Sequence, residues 1–131
     1  MNTNSKKQLE YWVKTAEHDW EIARALWSTK KYDACLFFCH LVTEKILKAA
    51  VVEKTRQHAP RVHNLILLAQ SANIVLDDRQ EQMLARMNHF NIATRYPVDQ
   101  KEFYKLATKR FSEPYYKFTK EFLIWVKKDL L

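Results

Sequence analysis

Residues Tyr32 to Lys54 read YDACLFFCHLVTEKILKAAVVEK, the longest stretch of the chain without a breaker. It is apolar almost all the way round, as a helix is when neighbours surround it. One polar line interrupts it: His40, Glu44 and Lys48, at spacings of four. Residues four apart stack on one helical face. A central helix with such a line is either ion-paired at its rim or aims those groups at something. Glu44 ahead of Lys48 is already a favourable helix pair. Cys35 and Cys39 share a face of the same helix. A disulfide within one turn would be strained, so reduced core thiols in a cytoplasmic protein are expected.

Upstream, Leu9, Trp12, Val13, Ala16, Trp20, Ala23 and Trp27 recur at threes and fours, predicting an amphipathic helix over residues 6–28. Core packing explains its three Trp without base stacking. The polar link Ser28-Thr29-Lys30-Lys31 is short, so the second helix returns antiparallel. Downstream, RQHAPRVHN carries Pro60 and a basic cluster of Arg56, His58, Arg61 and His63. A third helix is expected from His63 to Ala72. A fourth is expected from a capping box of Asp78 and Glu81 to Ala93, with Met83, Leu84, Met87, Phe90 and Asn91 along it. Tyr96-Pro97 ends it, because the residue before a proline resists the helical region. Residues 98–110 read as a short packed turn around Phe103 and Leu106. The last helix starts near Ser112 with Pro114 in its first turn. The expected fold is all-α, an up-and-down bundle of about five helices in one domain spanning residues 1–131.

Composition narrows the chemistry. The 131 residues include no Gly and three Pro. Turns with positive φ must therefore use Asn, Asp or His, and Gly-rich phosphate loops are excluded. The net charge is +7, from 22 Lys and Arg against 15 Asp and Glu. That balance favours an anionic partner (nucleic acid, a nucleotide or an acidic protein) and equally fits a soluble protein that happens to be basic. No apolar run approaches the roughly 20 residues that span a bilayer, and MNTNSKKQLE lacks the apolar core of a signal peptide. A cytoplasmic protein with no membrane partner is expected.

Metal, cofactor and thiol chemistry find no support. Cys39 and His40 are adjacent and point about 100° apart, which makes no common ligand face. Nothing in sequence would lower the pKa of either thiol apart from His40, on another face. Metal-free RNA cleavage needs a base for the 2′-OH and a cation on the phosphate. The candidates are His63 with Arg56 or Arg61, and His89 with Arg86 or Arg95. Arg86 and His89 are three apart on one helix and could meet; a solvated face is the plainer reading. Arg56, Arg61, His63, Arg95 and the Lys of 101–109 gather at helix ends and connections, where phosphates bind readily.

FFCHLVTEKILKA in the second helix, HNL at 63–65 and RYP at 95–97 occur in order, behind an opening helix with Trp12, Ala16, Asp19, Ala23 and Leu26. From about Gln8 to Leu130 this series resembles the HEPN domain family. The resemblance implies an up-and-down helical bundle that commonly forms homodimers. It also implies a minimal nucleotidyltransferase as partner in a toxin–antitoxin pair. Many members are metal-independent ribonucleases that use an Arg and a His separated by four to six residues, often with a Tyr two residues on. Others bind nucleotide or RNA without cleavage. Here the equivalent segment reads RMNHFNIATRYP. His89 follows Arg86 after only two residues, and Arg95 stands next to Tyr96 where a His is expected. Arg56 and His63 have the literal spacing, but they straddle Pro60 in a connection, and the match is read as chance. The departure counts against an enzyme. The resemblance implies instead a ligand site of Glu44, Lys45, Lys48, His63, Asn91, Arg95 and Tyr96 for a nucleotide or RNA, with Glu44 anchoring Arg95 or His63. A ribonuclease using a variant Arg/His pair and a non-catalytic structural adaptor are the alternatives.

Overall fold

The computed structural model describes residues 3–94 and 96–131. Its helices run up and down, and among the described residues there is no strand. They are α1 (Thr3–Ser28), α2 (Tyr32–Thr55), α3 (Leu65–Ser71), α4 (Asp78–Ala93), α5 (Pro97–Leu106) and α6 (Lys109–Asp129). None of them is long and apolar enough to cross a membrane.

The all-round apolar character of α2 has the expected cause: every other helix packs against it. Its Cys35, Leu36, Cys39, Val42, Ile46, Leu47 and Val52 are fully buried. All of these but Val52 join Leu65 and Leu68 of α3, Met83, Leu84, Met87 and Phe90 of α4, and Phe118, Phe122 and Val126 of α6 in one core. Both cysteines are free thiols, and Cys35 donates to the Ala23 carbonyl at 3.4 Å. Its hydrogen bond with Cys39, reinforced by burial, pushes the Cys35 thiol far up, so it is inert.

The α1 stripe differs in depth from expectation. Ala16 and Ala23 are fully buried, because only small residues fit where α1 lies closest to α2. Trp12, Trp20 and Trp27 are half-buried and pack on the rim of the core. Tyr116 of α6 stacks on both Trp20 and Trp27, with centroids 5.0 Å and 4.5 Å apart and interplanar angles of 26° and 5°. This aromatic seam joins the first helix to the last.

Several boundaries move. The fourth helix is capped one residue earlier than expected. The Asp77 carboxylate accepts from Gln80 N at 2.7 Å, and the Gln80 side chain accepts from Asp77 N at 3.0 Å. The segment expected as a packed turn contains α5. Pro97 sits in its first turn, Asp99 and Lys105 complement its dipole, and Phe103 alone is buried. One buried residue leaves too narrow an apolar stripe for periodicity to reveal. The last helix begins at Lys109, with Thr108 as its cap. Pro114 therefore lies inside the helix. It leaves the Arg110 carbonyl without the usual N–H four residues on.

Positive φ falls on Asn73 (52°), a residue type expected there, and on Lys30 (61°) and Arg56 (60°), where Asn, Asp or His was expected. The paired end bonds of α1 (Lys30 N to Trp27 O, Lys31 N to Leu26 O) and of α3 (Asn73 N to Gln70 O, Ile74 N to Ala69 O) require that geometry. With no glycine in the chain, two long side chains take a conformation that costs about 1–2 kcal/mol each.

Candidate functional site

The polar line of α2 is buried along its whole length: His40 is 0% exposed, Glu44 5% and Lys48 6%. Carboxylate and ammonium groups reach such positions only when paired. Glu44 makes the pairing. Its Oε2 takes the Lys48 ammonium at 3.0 Å, and its Oε1 takes His63 Nδ1, also at 3.0 Å. Lys48 Nζ lies 5.1 Å from the centroid of the Trp12 ring, so the ammonium faces a carboxylate and a π-face together. Of the two groups expected on Glu44, His63 is there; Arg95 lies outside the described residues.

His40 closes the network from behind. Its Nε2–H donates to the His63 carbonyl at 3.1 Å. In the neutral ring Nδ1 then carries the lone pair, 3.8 Å from Glu44 Oε1 and without a hydrogen-bond partner. Burial holds the His40 pKa below the ordinary histidine value, outweighing the pull of Glu44 toward the charged form. The ring is thus a neutral donor that positions the backbone of His63.

The His63-Asn64-Leu65 run explains itself residue by residue. His63 is held by its ring and its carbonyl. Asn64 caps α3, accepting from Ile66 N and Leu67 N at 3.0 Å and 3.2 Å. The same oxygen accepts from Asn88 Nδ2 at 3.2 Å, and Asn88 Oδ1 accepts from Leu65 N at 2.8 Å. Leu65 itself is fully buried. The start of α3 is therefore locked to both α2 and α4. His63, whose side chain is 56% exposed, is presented at the surface by a rigid base. The Glu44 bond puts its proton on Nδ1 and leaves Nε2 to serve as acceptor or proton carrier.

The other expected residues fall elsewhere. Asn91 lines a small cleft of about 220 Å³ with His63, Asn64, Asn88 and Ile92. Lys45 is drawn to Asp19 of α1 at 2.6 Å rather than to the Glu44 group, which the hundred-degree step between neighbouring residues explains. Tyr96 is 63% exposed in extended backbone ahead of Pro97. Arg86 and His89 share the wall of a cleft of about 650 Å³ between α4, α5 and α6, floored by Phe90, Phe103, Phe111 and Tyr115. Among the described residues the two are not hydrogen-bonded to one another, and Asp99 and Glu102 line the same cleft. Asn64 and Asn88 were not singled out from the sequence. A cap signal before LILLAQS was available for Asn64, while the reach of Asn88 across to α3 had no sequence signature.

Comparison with curated proteins and with solved structures gave no match. The family model described as HEPN domain matches residues 9–129. The matched span takes in α2 with its buried carboxylate, the pinned His63 and the helices that enclose them. The chain belongs to the HEPN domain family.

Proposed function

We propose that this protein binds a nucleotide or RNA without cleaving it, and that the Glu44–His63 pair organises the site. Family membership is consistent with a nucleotide- or RNA-related function. The observation that carries the reading is a buried carboxylate spent on orienting an exposed imidazole, when Lys48 alone would have neutralised it. A buried ion pair is poor value for stability, so its extra bond to a surface histidine fits a positioning role. His63 and the amide groups of Asn64, Asn88 and Asn91 offer donors and acceptors suited to a base edge or a phosphate oxygen. Pairing with a second copy and with a minimal nucleotidyltransferase belongs to the same proposal, resting on the family alone. Isothermal titration with ATP, other nucleotides and short RNA tests the binding. Saturable heat is the expected result; none at millimolar ligand would leave only the partner role.

One observation favours a second reading, a metal-independent ribonuclease: Arg86 and His89 do line one cleft. Asp99 and Glu102 in that cleft oppose it, since carboxylates repel a scissile phosphate. Incubating the protein with RNA in EDTA decides the matter. Cleavage that vanishes in His89→Ala would establish the ribonuclease; intact RNA supports the binding reading.

A further inference from the structure

The clefts of this molecule differ in charge. The α4–α5–α6 cleft sets Arg86 against Asp99 and Glu102. The α1–α6 cleft sets Lys120 and Lys127 against Glu17 and Glu21. The cleft at the end of α2 sets Lys54 and Arg56 against Glu53 and Asp129. A fourth, of about 570 Å³, lies between the start of α1 and the α2–α3 connection. Lys7, Lys48, His58 and Arg61 line it, and among the described residues no carboxylate does. Neither Lys7 nor Arg61 takes part in an ion pair among the described residues. Two unpaired cations in a concave site, beside an ammonium whose one carboxylate lies outside the lining, favour an anion there.

The walls of this cleft are built rather than incidental. Ser5 Oγ donates to the Arg56 carbonyl at 2.9 Å, and the Gln8 side chain bonds His58 Nε2 at 3.2 Å. These two links tie the first turns of α1 to the connection. Lys48 brings a buried ammonium to the same cleft. Glu44 is its one hydrogen-bond acceptor among the described residues, and an ammonium has three N–H groups. Tyr11 stands on the α1 wall, four residues after Lys7 and 56% exposed, edge-on to Trp12 at 5.0 Å. Its ring has a face to offer to a planar group beside the cations.

We propose that this cleft is a phosphate subsite with an aromatic base beside the phosphate. Lys7, Lys48 and Arg61 take the phosphate, and Tyr11 stacks on the base. The ligand is a nucleoside phosphate, free or within single-stranded RNA. The inference rests on the nucleotide- or RNA-binding reading above and gives it a place. Glu44 serves both sides, with one carboxylate oxygen fixing His63 and the other fixing Lys48 at the floor of this cleft.

Titrations of ATP and of a short single-stranded RNA into the wild-type protein, a Lys7→Ala, Arg61→Ala double variant, Tyr11→Ala and His63→Ala test it. Helical circular dichroism checks that each variant is folded; Lys7, Tyr11 and Arg61 are exposed and carry no core. The double variant should bind about tenfold more weakly or worse, the loss of two phosphate contacts. Its RNA affinity should also depend less on salt, the slope of log K against log salt shrinking by about 1.4. Tyr11→Ala should weaken binding about fivefold or more. Binding of ATP as tight as that of the RNA points to a free nucleotide, and binding of RNA alone to a strand; either supports the subsite when the double variant weakens it. A double variant that binds like wild type while His63→Ala loses affinity overturns the subsite and leaves the binding reading standing. An unaffected Tyr11→Ala beside a weakened double variant rejects the base-stacking half. Wild-type protein that binds neither ligand ends both proposals.

Discussion

Two seams hold α2 and its neighbours together, and they are built from opposite materials. Between α1 and α6, Tyr116 is stacked against Trp20 and Trp27. Between α2 and the α2–α3 connection, Glu44 is bonded to Lys48 and His63, with His40 behind. The aromatic seam stabilises by burying apolar area and needs only approximate shape. The polar seam gains little net stability but demands one geometry, because every misplaced group would be a buried unpaired charge. The difference separates residues that hold the bundle from residues that hold something out to solvent. His63, half exposed at the end of the polar seam, is the group being held.

Glu44 is the most sensitive position of the polar seam. Glu44→Ala leaves the Lys48 ammonium buried without its carboxylate and should cost about 3–5 kcal/mol in urea melts. A loss below about 1 kcal/mol would mean that water reaches Lys48 and the seam is not truly buried. The aromatic seam should be less brittle. Tyr116→Ala removes two stacked pairs worth about 0.5–1.5 kcal/mol each, so about 2 kcal/mol is expected by the same assay. Trp20→Ala should cost less than the full 3–5 kcal/mol or so of a buried aromatic, since Trp20 is only half-buried.

Smaller effects sharpen the contrast. His63→Ala leaves Glu44 still paired with Lys48, so stability should fall by about 1 kcal/mol or less. An equal loss in His63→Ala and Glu44→Ala would erase the distinction between anchor and anchored group. The pH dependence near neutrality is smaller still and belongs to the polar seam, through His40. In the unfolded chain His40 takes up its proton as pH falls through about 6.5, its ordinary value, whereas in the folded protein burial delays protonation to lower pH. The unfolded state thus holds the extra proton in between. The stabilising contribution is complete above that pH and declines as pH falls toward the folded-state value. His40→Gln should flatten the stability profile in that window; an unchanged profile would assign the effect to other groups.

Much of this was legible in the sequence because it is local or periodic. The unbroken apolar run of α2 announced a surrounded helix, and the fours of His40, Glu44 and Lys48 announced one face. The capping signals lay within a residue of the truth, Asp77 with Gln80 in place of Asp78 with Glu81. What stayed hidden depends on three dimensions. Helix α5 buries Phe103 alone, so no stripe marks it. The stacking of Tyr116 between two Trp of α1 joins the chain's ends and leaves no pattern in either segment. The choice at Glu44 between a rim pair and a group aimed at something was too narrow, since its ion pair with Lys48 is buried and its other oxygen holds the exposed His63. The cationic cleft draws Lys7 from one end of α1 and Arg61 from beyond α2, a convergence no spacing encodes.

The most direct test of the account is a pair of calorimetric titrations with the same nucleotide or short RNA, wild type against His63→Ala, beside melts of both proteins. An orienting role for Glu44 predicts that His63→Ala melts within about 1 kcal/mol of wild type yet binds roughly tenfold more weakly. Equal affinity in the two proteins, with wild type binding measurably, would contradict it.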